Sequence, residues 1–139
     1  MEYISAKEFL KQPKEVQETF IEWWKPSIGD LITIKEKHCY PTMVEYFGYA
    51  DDNMISTIDE RNVEKEKTIP LFTEGQLRKF IEDKTECKIE TVWCECGWSY
   101  NIDLVKNYDS GELVKRYYNL GEDLLQAYWT VACEIAKEG

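Results

Sequence analysis

The chain has 139 residues, 43% hydrophobic and 14% aromatic, a composition that folds rather than staying disordered and supplies one domain's worth of core. Its 27 acidic against 17 basic side chains leave a formal charge of −10, and no segment has the run of Lys or Arg that a phosphate backbone requires, so direct nucleic-acid binding is not expected. No stretch is long and apolar enough to span a bilayer, and the first five residues lack a basic-then-apolar signal pattern, so the five cysteines are expected as free thiols in a reducing cytoplasm.

In chain order, Ser5 and Glu8 read as a capping box opening a short helix that carries Phe9 and Leu10. Pro13 fits the first residue of a second helix, where Val16, Phe20, Trp23 and Trp24 recur at helical spacing until about Lys25, just before Pro26. Pro26, Ser27, Gly29 and Asp30 predict a turn, followed by a β-branched strand over residues 31–35. Two more strands are expected over 40–49 and 54–59, joined at Asp51, Asp52 and Asn53 as a meander, with residues 59–67 as a solvated loop. Thr73 and Gln76 make another capping box, which starts a central helix with Leu77, Phe80 and Ile81 on one face.

Residues 87–94 and 98–105 give the clearest hairpin signal, connected by Glu95, Cys96 and Gly97. Trp98, Tyr100, Ile102 and Leu104 alternate with Ser99, Asn101, Asp103 and Val105, which assigns the first set to the buried face. Residues 107–111 are turn-rich. Over 121–137, Leu124, Leu125, Tyr128, Val131, Ala132 and Ile135 fall at helical spacing, with Glu122 and Asp123 at the positive end of the dipole. The predicted fold class is α+β: a small antiparallel sheet packed against the central and C-terminal helices, with an N-terminal helical segment, in a single domain over 1–139.

Patterns that carry chemistry are sparse. Cys94 and Cys96 project to one side of an extended strand and could join Cys87 and His38 around zinc, but structural zinc ligands are usually two to four residues apart, so no metal or cofactor is expected. Cys39 lacks a base, because the only histidine is its neighbour His38, which would face the other side of a strand. There is no glycine-rich phosphate loop, nucleophile elbow or dinucleotide fingerprint, and the chain reads as a non-enzyme. The aromatic residues are more suggestive. Neighbouring rings on a helix point a quarter-turn or more apart, so one of each pair, such as Trp23 and Trp129, should lie at the rim of the core. With Trp93, Trp98 and Tyr100 they are candidates for a protein contact or a base stack, and Arg78, Arg116 and Lys115 for meeting phosphates.

Three blocks carry a resemblance: residues 69–84, from Ile69 and Pro70 through the Thr73 cap to Lys84; Trp24, Lys25, Pro26, Ser27, Ile28, Gly29 and Asp30; and residues 119–129, from Asn119 to Trp129. Together they resemble small uncharacterised accessory proteins of phages and prophages of Gram-positive bacteria. The resemblance implies an accessory phage product working in the host cytoplasm, and carries over no catalytic residue. The function expected in that context is binding and inhibition of a host protein, as in anti-defence inhibitors of the anti-CRISPR type, through an acidic and aromatic surface. The alternatives are a sponge that sequesters a nucleotide immune signal, and a regulatory or assembly module with no defence role. A homo-oligomer would use the same aromatic surface.

Overall fold

Ser5 Oγ accepts the Glu8 N–H at 3.2 Å, and behind this cap helix α1 (Ala6–Leu10) makes little more than one turn. Helix α2 (Lys14–Trp23) has Pro13 as its N-cap, one position outside the expected place, and ends before Pro26. The computed structural model describes residues 2–35, 40–48, 52–106 and 111–139. They form two compact units, Ser5–Phe72 and Thr73–Gly139 with Met1–Ile4.

In the first unit, strands β1 (Leu31–Ile34), β2 (Thr42–Phe47), β3 (Met54–Thr57), β4 (Asn62–Glu64) and β5 (Thr68–Pro70) make one antiparallel sheet in the order β4-β3-β2-β1-β5. The meander is as read from the sequence, although Tyr49 and Asp51 lie outside the described residues. The segment read as a solvated loop instead holds β4 and a 3₁₀ turn, Lys65–Lys67. An edge strand needs no apolar alternation, which is why the charged sequence around Val63 gave no strand signal. At the other edge, β5 tolerates Pro70, whose missing N–H is not needed there.

The core of this unit is aromatic. The Phe20 and Phe72 ring centroids are 5.5 Å apart, Phe9 is 6.3 Å from Phe20 and 6.4 Å from Phe72, and Trp23 is 6.2 Å from Phe72. Trp23 stays half-buried, while Trp24 is buried and donates its indole N–H to Asp30 Oδ2 at 3.0 Å.

A polar knot closes the β3–β4 turn. Arg61 Nη2 donates to Asp59 Oδ2 at 2.5 Å, the hydroxyls of Thr57 and Thr42 donate to Oδ1, and the Arg61 backbone N–H returns to Thr57 Oγ1 at 3.1 Å. The Arg61 and Thr57 bonds hold the Asp59 carboxyl at about 2, below its ordinary 3.8. A carboxyl depressed in the folded state contributes stability above its unfolded pKa and loses it as pH falls through the folded value. Wild type is therefore expected to melt higher than Asp59→Asn at neutral pH, with the gap closing between about pH 4 and 2. A gap that stays constant across that range in thermal melts would disprove the assignment.

In the second unit, the Thr73 capping box is present: Thr73 Oγ1 accepts the Gln76 N–H, and Gln76 Oε1 accepts the Thr73 N–H at 2.9 Å. It opens helix α3 (Glu74–Thr85), which buries Leu77, Phe80 and Ile81. Strands β6 (Cys87–Cys94), β7 (Ser99–Lys106) and β8 (Leu113–Tyr117) form a second antiparallel sheet in that order, and helix α4 (Leu124–Lys137) follows from the Asp123 N-cap. Helix α3 packs on α4 and β6, and α4 packs on β7, which is the predicted sheet-and-two-helix arrangement. The strands thus divide between two sheets, and β8, exposed along the edge, was not anticipated. Among the described residues, no helix is long and apolar enough to cross a membrane.

Covered by α3 on one side and the sheet on another, α4 buries adjacent residues, Tyr128 and Trp129 included. Trp129 is therefore in the core rather than at its rim. Tyr128 reaches the sheet through a hydrogen bond between its hydroxyl and Thr91 Oγ1 at 2.5 Å.

Candidate binding surface at the β6–β7 hairpin

Antiparallel pairing sets Trp93 opposite Tyr100 and Cys94 opposite Ser99, so residues 95–98 make the connecting turn. Directly paired residues share a face. The Trp93 ring meets Tyr100 edge-on at 5.0 Å and Trp98 at 6.5 Å, so three of the expected site residues form one cluster at the hairpin tip. Trp93 is 40% and Trp98 64% exposed, and Tyr100 is half-buried.

Trp98 does not begin the buried alternation. It closes the turn in the left-handed region, at φ 50°, and points its ring to solvent. On β7 itself Ser99, Asp103 and Val105 are buried along with Ile102 and Leu104, so both faces of this central strand are covered. The segment after β8 braces the tip: the Tyr100 N–H donates to Gly121 O at 2.8 Å, the Leu120 N–H to Tyr100 O at 2.9 Å, and the Asn119 N–H to Asn101 Oδ1 at 3.1 Å.

The cations expected to meet phosphates are engaged elsewhere. Arg116 donates from Nε and Nη2 to the two carboxylate oxygens of Asp103 at 2.6 and 2.7 Å, a bidentate pair that satisfies a buried carboxylate, and its guanidinium lies 5.9 Å from the Tyr118 ring. The Asp103 bonds and charge raise the Arg116 pKa further. Lys115 Nζ is 4.8 Å from the Tyr117 ring and 3.7 Å from Glu138, and Arg78 sits 5.7 Å from the Tyr128 ring on α3. Trp23 belongs to the other compact unit. The Asp103–Arg116 pair had no local sequence signal, since it joins neighbouring strands 13 residues apart.

The thiols are also redistributed. Cys87 and Cys94 begin and end β6, seven residues apart and so separated by roughly 23 Å at a strand's rise, too far to share an ion. Cys133 is buried on α4, and His38 and Cys39 lie outside the described residues. Among the described residues, no group of three or more His, Cys, Asp and Glu is arranged to hold a metal. At the hairpin tip, the Gly97 N–H aimed at Cys94 Sγ, helped by the side chain and N–H of Cys96, draws the Cys94 thiol below its ordinary range.

Two grooves among the described residues carry lysines in balance with carboxylates. One of about 670 Å³ in the first unit is lined by Lys14, Lys35 and Lys65 with Glu18, Glu22 and Glu66; one of about 440 Å³ on α3 sets Arg78 and Lys79 against Glu82 and Asp83. This is an α+β chain whose most exposed ring cluster crowns a braced hairpin. No protein-family model matches it, nor does any curated protein or solved structure.

Proposed function

We propose that this chain is a non-enzymatic binding protein whose Trp93–Trp98–Tyr100 hairpin tip contacts a protein surface. In keeping with its resemblance to phage accessory proteins, the partner is a host protein that it inhibits, with a defence component as the preferred target. The observation that carries this reading is Trp98, a large ring 64% exposed at a backbone φ of 50°. Left-handed geometry costs an L-residue about 1–2 kcal/mol, and Gly or Asn relieves most of it. Folding alone favours glycine there. A tryptophan held at that cost, with one edge contact to Trp93, fits an anchor for a partner. The −10 charge, with Glu95 in the same turn, favours a basic partner surface. Neither of these two grooves offers a polyphosphate an excess of cations, so the reading rests on the ring cluster.

Trp98→Gly separates the two roles. It is expected to melt no lower than wild type, yet to lose capture of a partner from Gram-positive host lysate at least tenfold, with wild-type capture weakening in high salt. Undiminished capture by the variant would overturn the assignment of the contact. A thermal shift of wild type with cyclic nucleotides, without protein capture, would establish the sponge instead.

A further inference from the structure

We propose that Cys94 and Cys96 form a hydroperoxide-reactive dithiol that closes into a disulfide at the hairpin tip, a modification site independent of what the tip binds. Cys94 is the last residue of β6, half-buried, and its sulfur is met by the N–H groups of Gly97 and Cys96 and by the Cys96 side chain. Backbone N–H groups converging in a turn stabilise an anion, here the thiolate that does the attacking. Cys96 is exposed in the turn, two residues further on. Residues two apart on an extended strand are roughly 6.6 Å apart at Cα, inside the ~4.4–6.8 Å span of a disulfide, and a turn shortens that separation. Ser99 stands opposite Cys94 with its hydroxyl buried and without a hydrogen-bond partner among the described residues. Paired Cβ atoms lie about 4.5–5.5 Å apart, so this hydroxyl is placed to bond an oxygen acquired by Cys94. Cys87 and Cys133 are buried, which keeps an oxidant from their sulfurs.

The chemistry balances with a hydroperoxide as oxidant. The Cys94 thiolate attacks one peroxide oxygen, forming the S–O bond and breaking O–O; hydrogen peroxide's other oxygen leaves as hydroxide and takes a proton to become water. The Cys96 sulfur then attacks Cys94, forming S–S and breaking S–O, and the departing hydroxyl leaves as water with the Cys96 proton. Two thiols lose two electrons in total, and the peroxide gains them.

The test treats the reduced full-length chain with equimolar hydrogen peroxide, alkylates the remaining thiols, and maps the peptides by mass spectrometry. The expected product is 2 Da lighter in the Cys94–Cys96 peptide (about the mass of the two hydrogens lost), with Cys87 and Cys133 alkylated. Cys96→Ser should leave a dimedone-trappable sulfenic acid on Cys94, and Cys94→Ser should consume peroxide at least tenfold more slowly. Oxidation of Cys94→Ser at the wild-type rate, or a wild-type disulfide joining any other pair, would overturn the proposal.

Discussion

Phe72→Ala is expected to destabilise the chain by about 3–5 kcal/mol, the range for truncating a fully buried aromatic residue. Phe72 is 1% exposed, and three rings, Phe9, Phe20 and Trp23, lie within 6.4 Å of its centroid. Alanine removes a ring that several neighbours share, and rings fixed on α1 and α2 cannot all collapse into the space. Phe72→Leu keeps most of the volume and should cost distinctly less. Urea unfolding followed by tryptophan fluorescence measures both. Equal losses for the two variants would mean that the cluster repacks freely and that ring packing is not what holds this unit.

Tyr128→Ala should have a comparable effect in the other unit, again about 3–5 kcal/mol. Tyr128 is 1% exposed on α4; its hydroxyl bonds Thr91 on β6 and its ring lies under the Arg78 guanidinium on α3. One side chain thus ties the last helix to both of its neighbours. Tyr128→Phe keeps the ring and the cation contact and gives up only the hydrogen bond. Because Thr91 is exposed enough for water to replace that partner, this variant should cost about 1 kcal/mol. If the phenylalanine variant lost as much as the alanine one, the hydroxyl bond rather than packing would dominate.

Elements with local punctuation were legible in the sequence. Ser5, Thr73 and Asp123 each accept a backbone N–H where a helix begins, and the strict alternation after residue 98 marked a strand. Strands β4 and β8 were not, because each lies at a sheet edge and is largely exposed, leaving no apolar period to detect. Alternation also misled where a strand is covered on both faces: Asp103 and Ser99 are buried although they fall on the polar phase. The ring cluster is legible as residue types, but alternation assigns Trp98 to the inside because periodicity cannot register a left-handed turn. Arg116 looked free for a ligand because its carboxylate partner comes from a neighbouring strand.

The placement of α4 after the sheet it covers has a consequence during synthesis. Ile89, Ile102 and Leu104 leave the ribosome before the helix that packs on their sheet has been made. Until Leu125, Tyr128 and Val131 arrive, the nascent chain presents a greasy, incompletely roofed hairpin of the sort that chaperones hold and proteases clip. Translation halted ahead of residue 124 would therefore yield fragments destined for clearance rather than shortened working copies.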